Sequence, residues 1–206
     1  LTVTLIIKGC CMFISAFSLM VLSSVLSVSS VSEQNCQQEL PTSILNEKEW
    51  RFATDPHGSE VKVKQTLLTD ERIWISFKRV PRVDAKNNSW VELIYDLPNQ
   101  TVEGKSTILL EYKSSKNLVV KLSQRDYGGQ GDKSYAHYQY ILPAQTQWGT
   151  HCVNLDDFSR PSWTPVNSID KGIIKEHVSA IYLVPDLKDE LGGEATIEVK
   201  NISLRP

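Results

Sequence analysis

The run from residue 146 to 163, TQWGTHCVNLDDFSRPSW, decides how the chain is read. A tryptophan stands near its start, an alternating segment follows, and Asp156-Asp157-Phe158 leads on to Pro161 and a second tryptophan. In WGTHCVNL a two-residue period puts His151, Val153 and Leu155 on one side and Thr150, Cys152 and Asn154 on the other. That is the pattern of a half-buried strand. Two adjacent carboxylates have the look of an acid/base pair, but neighbouring side chains on an extended chain diverge. The run predicts a fold corner, with an aspartate capping local N–H groups and Pro161 and Trp163 closing the end of the structure.

The same period runs through the chain from Trp50 onward, without any long 3.6-residue repeat. WRFAT, EVKVKQTLL, RIWISFKRV, SWVELIYDL, STILLEYKS, NLVVKLSQR, YAHYQYIL, THCVNL, VSAIYLV and ATIEVKNISL each read as a strand. Turn clusters such as DPHGS, AKNNS, PNQTVEG, YGGQGDKS and KDELGG separate them. About ten short strands between turns predict an all-β fold, an antiparallel β-sandwich of jelly-roll type over residues 47–206.

Residues 1–30 differ from this. Lys8 is their only charge, and Cys11 to Val28 is apolar or small throughout. A short basic start, an apolar run and small residues after it read as a secretory signal peptide. The rival reading is an uncleaved membrane anchor. Either places the domain outside the cytosol, secreted or periplasmic, or anchored facing the periplasm. The chain carries 22 Lys and Arg against 24 Asp and Glu, and no basic block suggests a nucleic-acid partner. Of four cysteines, Cys10 and Cys11 lie in the leader, which leaves Cys36 and Cys152 to pair as a disulfide in an oxidising compartment. Residues 31–46 then read as a tail held down at Cys36. No Cys/His cluster has zinc spacing, so no cofactor is expected.

Alternation also sorts the faces. In NLVVKLSQR, Leu118, Val120 and Leu122 oppose Val119, Lys121, Ser123 and Arg125. In YAHYQYIL, Ala136, Tyr138, Tyr140 and Leu142 oppose Tyr135, His137 and Gln139. In SWVELIYDL, Val91, Leu93, Tyr95 and Leu97 point inward, leaving Trp90, Glu92 and Asp96 outward. These outward sets hold large aromatics beside hydrogen-bonding groups, where a merely solvated face carries Lys, Glu, Ser and Thr.

Trp148, the strand after it and the LDDF at 155–158 resemble the corner of galactose-binding-like jelly rolls, and residues 178–204 resemble their last two strands. The likeness covers roughly residues 47–206. Such domains include carbohydrate-binding modules of polysaccharide-degrading systems, and the resemblance implies a polysaccharide or oligosaccharide partner. An aspartate in their final strand often helps hold a structural calcium; here VKNI puts Lys200 at that position. LDDFSRPSW also resembles extracytoplasmic sensor domains of bacterial signalling proteins, which would make a small ligand or a protein the partner.

A sugar-binding face needs flat aromatic rings for pyranose stacking and polar side chains at the rim. Trp90, Tyr135 and Tyr127 are the candidate platforms, with Glu92, Arg125, His137 and Gln139 as polar partners. For an enzyme the signals are thin. Four scattered histidines accompany no nucleophile turn, and Glu92 with Asp96 is the one same-face carboxylate pair to weigh for glycoside cleavage. The GGQG at 128–131 lacks the setting of a phosphate loop, and the acidic run 186–194 lacks calcium-hand spacing. The expectation is a non-catalytic carbohydrate-binding module, with a sensor or protein-interaction domain as the alternative and a small polysaccharide lyase or glycosidase third.

Overall fold

The computed structural model describes residues 45–85 and 87–206. The expected leader, most of the expected tail and Cys36 lie outside the described residues. Among the described residues no helix is long and apolar enough to cross a membrane.

Among the described residues ten strands form: β1 (Trp50–Thr54), β2 (Glu60–Thr69), β3 (Arg72–Arg79), β4 (Val91–Asp96), β5 (Thr107–Ser114), β6 (Leu118–Gln124), β7 (Gln139–Leu142), β8 (Gln145–Asn154), β9 (Val178–Pro185) and β10 (Gly193–Arg205). They build two five-stranded antiparallel sheets. The front sheet has the order β1-β4-β9-β6-β7 and the back sheet β2-β3-β10-β5-β8. This is the expected jelly-roll sandwich.

The period-two pattern is what closes the sandwich. Inward positions such as Ile73, Ile75 and Phe77 on β3, Ile108, Leu110 and Tyr112 on β5, and Ile181 and Leu183 on β9 have 0–2% exposure and form one core between the sheets. β-Branched and aromatic side chains fit that pleated, half-buried surface, and each large one withdrawn from water stabilises the fold by about 1.5–3 kcal/mol.

The opening run is a corner, with differences in detail. Leu155–Asp157 form a single 3-10 turn, closed by the Phe158 N–H donating to the Leu155 carbonyl at 3.2 Å. Asp156 and Asp157 are exposed, so the closure runs through backbone and not through an aspartate cap. Phe158 is buried, 5.9 Å from the Tyr140 ring. Ser159 then exchanges backbone hydrogen bonds with Gln139, extending the front sheet by a bridge beyond β7. Pro161 is buried, but Trp163 is 57% exposed and plugs nothing.

One expected strand is shorter than its pattern. YAHYQYIL alternates over eight residues, yet only Gln139–Leu142 pair as β7. Tyr135 takes a left-handed φ of 53°, which an extended strand does not allow. The loop before it turns tightly at Gly131, where a Cβ would stand 1.9 Å from the Asp126 carbonyl oxygen. Only glycine fits there.

Candidate functional site

Pairing across the front sheet assembles its outer face from short-range alternation. One row runs Arg51, Ile94, Tyr182, Lys121, Gln139 across all five strands. A second holds Ala53 beside Glu92, and Val184, Val119 and Ile141. A third holds Asp96, Ala180 and Ser123. Although these positions point away from the core, Ile94 and Ala180 are only 2% exposed. Longer polar chains lie over them and make a polar layer on an apolar floor.

That layer is internally paired. Arg51 Nε donates to Asp96 Oδ2 at 2.7 Å and its Nη2 to Asp96 Oδ1 at 3.1 Å. This forked bond holds the guanidinium pKa above its ordinary value, against the opposing effect of burial. Lys121 Nζ reaches over β9 to Glu92 Oε1 at 3.4 Å, with both side chains less than 20% exposed. At the centre, Ser123 Oγ donates to the Tyr182 hydroxyl at 3.0 Å. The two charged pairs cancel, so the face carries no net charge of its own.

The lower end of the face is built by the loops 125–138 and 158–177. Arg125 is exposed, and its Nη2 lies 2.5 Å from His177 Nε2. Arginine can only donate, so Nε2 accepts and the ring proton sits on Nδ1, which donates to Asp126 Oδ2 at 2.6 Å. Burial alone would raise the Asp126 pKa; bonds from His177, Gln124 and Lys171 outweigh it and hold it low. Arg160 ties the loops together. Its Nε donates to the Ala136 carbonyl at 2.9 Å, its Nη2 to Ser168 Oγ at 2.6 Å, and its guanidinium lies 4.0 Å over the Tyr127 ring.

The seven expected ligand residues therefore divide. Glu92 and Gln139 stand on the paired rows, and Arg125 and the 58% exposed Tyr135 stand at the lower end. Trp90 is 39% exposed at the opposite end, six residues before Asp96, or about 20 Å up the strand. It cannot share one sugar ring with Tyr135. Two expectations need correction. Tyr127 has no exposure, and with Arg160 over its ring it offers no platform. His137 is 4% exposed, with Nδ1 accepting from the Gln124 N–H at 3.3 Å, so it bonds to no sugar hydroxyl. Its ring packs edge-on to Tyr135 at 6.5 Å and Tyr182 at 6.0 Å, a floor beneath both. Burial, with Lys121 and Arg160 nearby, pushes its pKa down to about 4, so it is neutral at pH 7.

Sequence reasoning missed Arg51 and Tyr182. Alternation in VSAIYLV does send Tyr182 outward, but its central place appears only with the strand order. Cys152 lies on β8, paired with Leu109 of β5 in the back sheet, while its expected partner Cys36 lies outside the described residues. Among the described residues no group of three His, Cys, Asp or Glu could hold a metal ion; Lys200 bonds Glu111 at 3.2 Å instead.

With this geometry in view, the solved structures it resembles are informative. The family 11 carbohydrate-binding module from Clostridium thermocellum, solved in complex with a beta-1,3-1,4-mixed-linked tetrasaccharide, aligns with a TM-score of 0.57 at 16% identity, covering 81% of this chain and 93% of that one. The family 11 module of cellulosomal cellulase Lic26A-Cel5E of the same organism aligns at 0.53 and 15% identity, covering 76% and 87%. The domain has a jelly-roll fold like that of carbohydrate-binding modules. No protein-family model and no curated protein matches the sequence.

Proposed function

We propose that the outer face of the front sheet binds a polysaccharide chain and does not cleave it. The observation that carries this reading is the face itself: a charge-neutral polar layer, centred on Tyr182 and flanked by the exposed Tyr135, over the buried Ile94 and Ala180. Pyranose rings stack on such aromatics while paired side chains exchange bonds with hydroxyls. Tyr135 also holds its ring outward from a left-handed backbone, a conformation that costs energy in a bulky residue and that a binding role would account for. The fold shared with sugar-binding modules agrees with the reading but does not by itself assign function.

The carboxylates favour binding over hydrolysis. Glu92 and Asp96 are four residues apart on one strand, about 13 Å, beyond the roughly 5–9.5 Å that glycosidases use. Each is also tied to a cation. In this reading the domain works outside the cytosol, with residues 1–30 as its leader or anchor. A protein partner is the second reading, favoured by the exposed Trp163, Val166 and Ile169 of one loop.

The test is retention of the full chain on a panel of plant, algal and bacterial polysaccharides, with Tyr135→Ala, Tyr182→Ala, Trp90→Ala and Trp163→Ala alongside. Retention lost in the Tyr135 and Tyr182 variants and kept in Trp163→Ala supports the front face. Retention on no glycan, or retention indifferent to both tyrosines, sinks it.

A further inference from the structure

The outer face of the back sheet carries a crosswise row of its own, with an indole toward each end. On β3, Ile73 and Ile75 point into the core, so Trp74 points outward; on β5, Tyr112 points inward and Lys113 outward. Pairing puts Trp74 beside Glu198 of β10, and Glu198 beside Lys113 of β5. At the β8 edge, the Trp148 ring lies 4.7 Å from Lys113 Nζ and 5.9 Å from Lys200 Nζ. These lysines rise from β5 and β10, so the indole leans inboard over the sheet and keeps the ring face turned from them for a ligand. Trp74 is held in a similar way, with Lys64 Nζ of β2 at 5.6 Å from its ring.

Both edge strands of this sheet lose register at that row. On β2, Val63 pairs with Ile75 and Leu68 with Ile73, so residues 64–67 bulge opposite Trp74 alone. On β8, Gly149 pairs with Tyr112 and Gln145 with Ser114, so residues 146–148 bulge opposite Lys113 alone. Bulges bend a strand and re-aim its side chains; protection of the edges would not by itself put both on one row. Gln145 holds the second bulge, its Nε2 donating to the Tyr112 and Gly149 carbonyls at 3.1 and 3.3 Å. A cleft of about 400 Å³ opens there, lined by Ser114, Ser115, Ala144, Gln145, Thr146 and Gln147. Ser115 Oγ accepts the Thr196 N–H at 2.9 Å, which leaves its own proton to donate. Thr146 and Gln147 are exposed.

We propose that this row is a second binding site, for a neutral oligosaccharide lying across the back sheet from the cleft and Trp148 to Trp74. The chemistry selects the class. Indole rings take the apolar face of a sugar, and the cleft offers hydroxyls and an amide to the sugar's own hydroxyls. Lys113 lies 3.9 Å from Glu198 and Lys200 3.2 Å from Glu111, so these pairs cancel and give an ionic ligand nothing to favour. The two indoles stand three strand spacings apart, about 14 Å. That is too far for one sugar ring to touch both and within reach of a short chain. Two platforms with few polar bonds give a Kd of about 1 mM, too weak to retain the chain on a polysaccharide alone. Together with a front-face site they add avidity and let one domain bridge two glycan chains. The site itself does not rest on the front-face reading.

The test is fluorine NMR of the full chain labelled with fluorotryptophan, titrated to about 10 mM with the neutral tetrasaccharides of glucan, mixed-linked glucan, mannan and xylan. The five tryptophan signals are assigned by phenylalanine substitutions made one at a time. With at least one tetrasaccharide the Trp74 and Trp148 signals should shift together with a single Kd, unchanged in Tyr182→Ala. Trp148→Ala should weaken the Trp74 response at least about tenfold, while the signal of the buried Trp50 keeps its position and shows the fold intact. Trp74→Ala should do the same to the Trp148 response. No shift of either signal with any of the four sugars overturns the proposal. So does a shift of one without the other, a Trp74 response that ignores the loss of Trp148, or a shift of both that Tyr182→Ala abolishes.

Discussion

Acidification tests whether His137 is a packed, neutral floor beneath Tyr135 and Tyr182. Its ring is 4% exposed, and burial, reinforced by Lys121 and Arg160 and opposed by Asp132, pushes its pKa from 6.5 to about 4. A base whose pKa is lower folded than unfolded lets the unfolded chain take up the proton first as pH falls. Its neutral burial therefore costs nothing above about pH 6.5, and stability is lost between there and about pH 4. From pH 7.5 to 4.5 the loss from this one site is about 2–3 kcal/mol. The carboxylates held low, Asp55, Asp126, Asp132 and Asp170, stabilise at pH values above their ordinary 3.8 and give way below it, outside this window. His151 is also lowered by burial and adds a slope of the same sign, so the comparison must be with a variant. In His137→Asn, Oδ1 can accept the Gln124 N–H in place of Nδ1. Urea unfolding at pH 7.5, 6.5, 5.5 and 4.5 should show the wild type losing about 2–3 kcal/mol more than His137→Asn across the range. Parallel profiles would refute the buried, neutral histidine.

Two further outcomes follow from the paired charges. Arg160→Ala removes the bonds to Ala136 and Ser168 and the cation over Tyr127; urea unfolding should show a loss of about 2–4 kcal/mol, and Arg160→Lys should recover little because an ammonium cannot reproduce the fork. On the front face Arg51 pairs with Asp96 and Lys121 with Glu92, so the affinity for a neutral glycan should change less than about twofold between 50 and 500 mM NaCl by isothermal titration calorimetry, and a loss beyond about tenfold would point to an acidic glycan instead.

What the sequence could show depended on the direction in which the information runs. Strands such as WRFAT and VSAIYLV are legible because their inward residues recur every second position, and β1 and β9 begin where those runs begin. YAHYQYIL misleads because alternation persists where pairing does not. Tyr135 leaves the strand through the turn at Gly131 and the clamp of Arg160, held from residues well along the chain. Tyr127 misleads for the same reason, since its ring is covered by a guanidinium 33 positions on. The candidate site runs crosswise. Arg51, Ile94, Tyr182, Lys121 and Gln139 come from five strands, and they become neighbours only through the order β1-β4-β9-β6-β7. Alternation along a strand assigns each of them a side, but it carries no register between strands. A face that binds a polymer across a jelly roll is written in that register. Tyr182 is thus the informative position: outward in its own strand's pattern, and central only once β4 and β6 lie on either side of it. If Tyr182→Ala spared glycan retention while Tyr135→Ala abolished it, the site would belong to the loop at the lower end and not to the sheet, and the crosswise argument would fail at its centre.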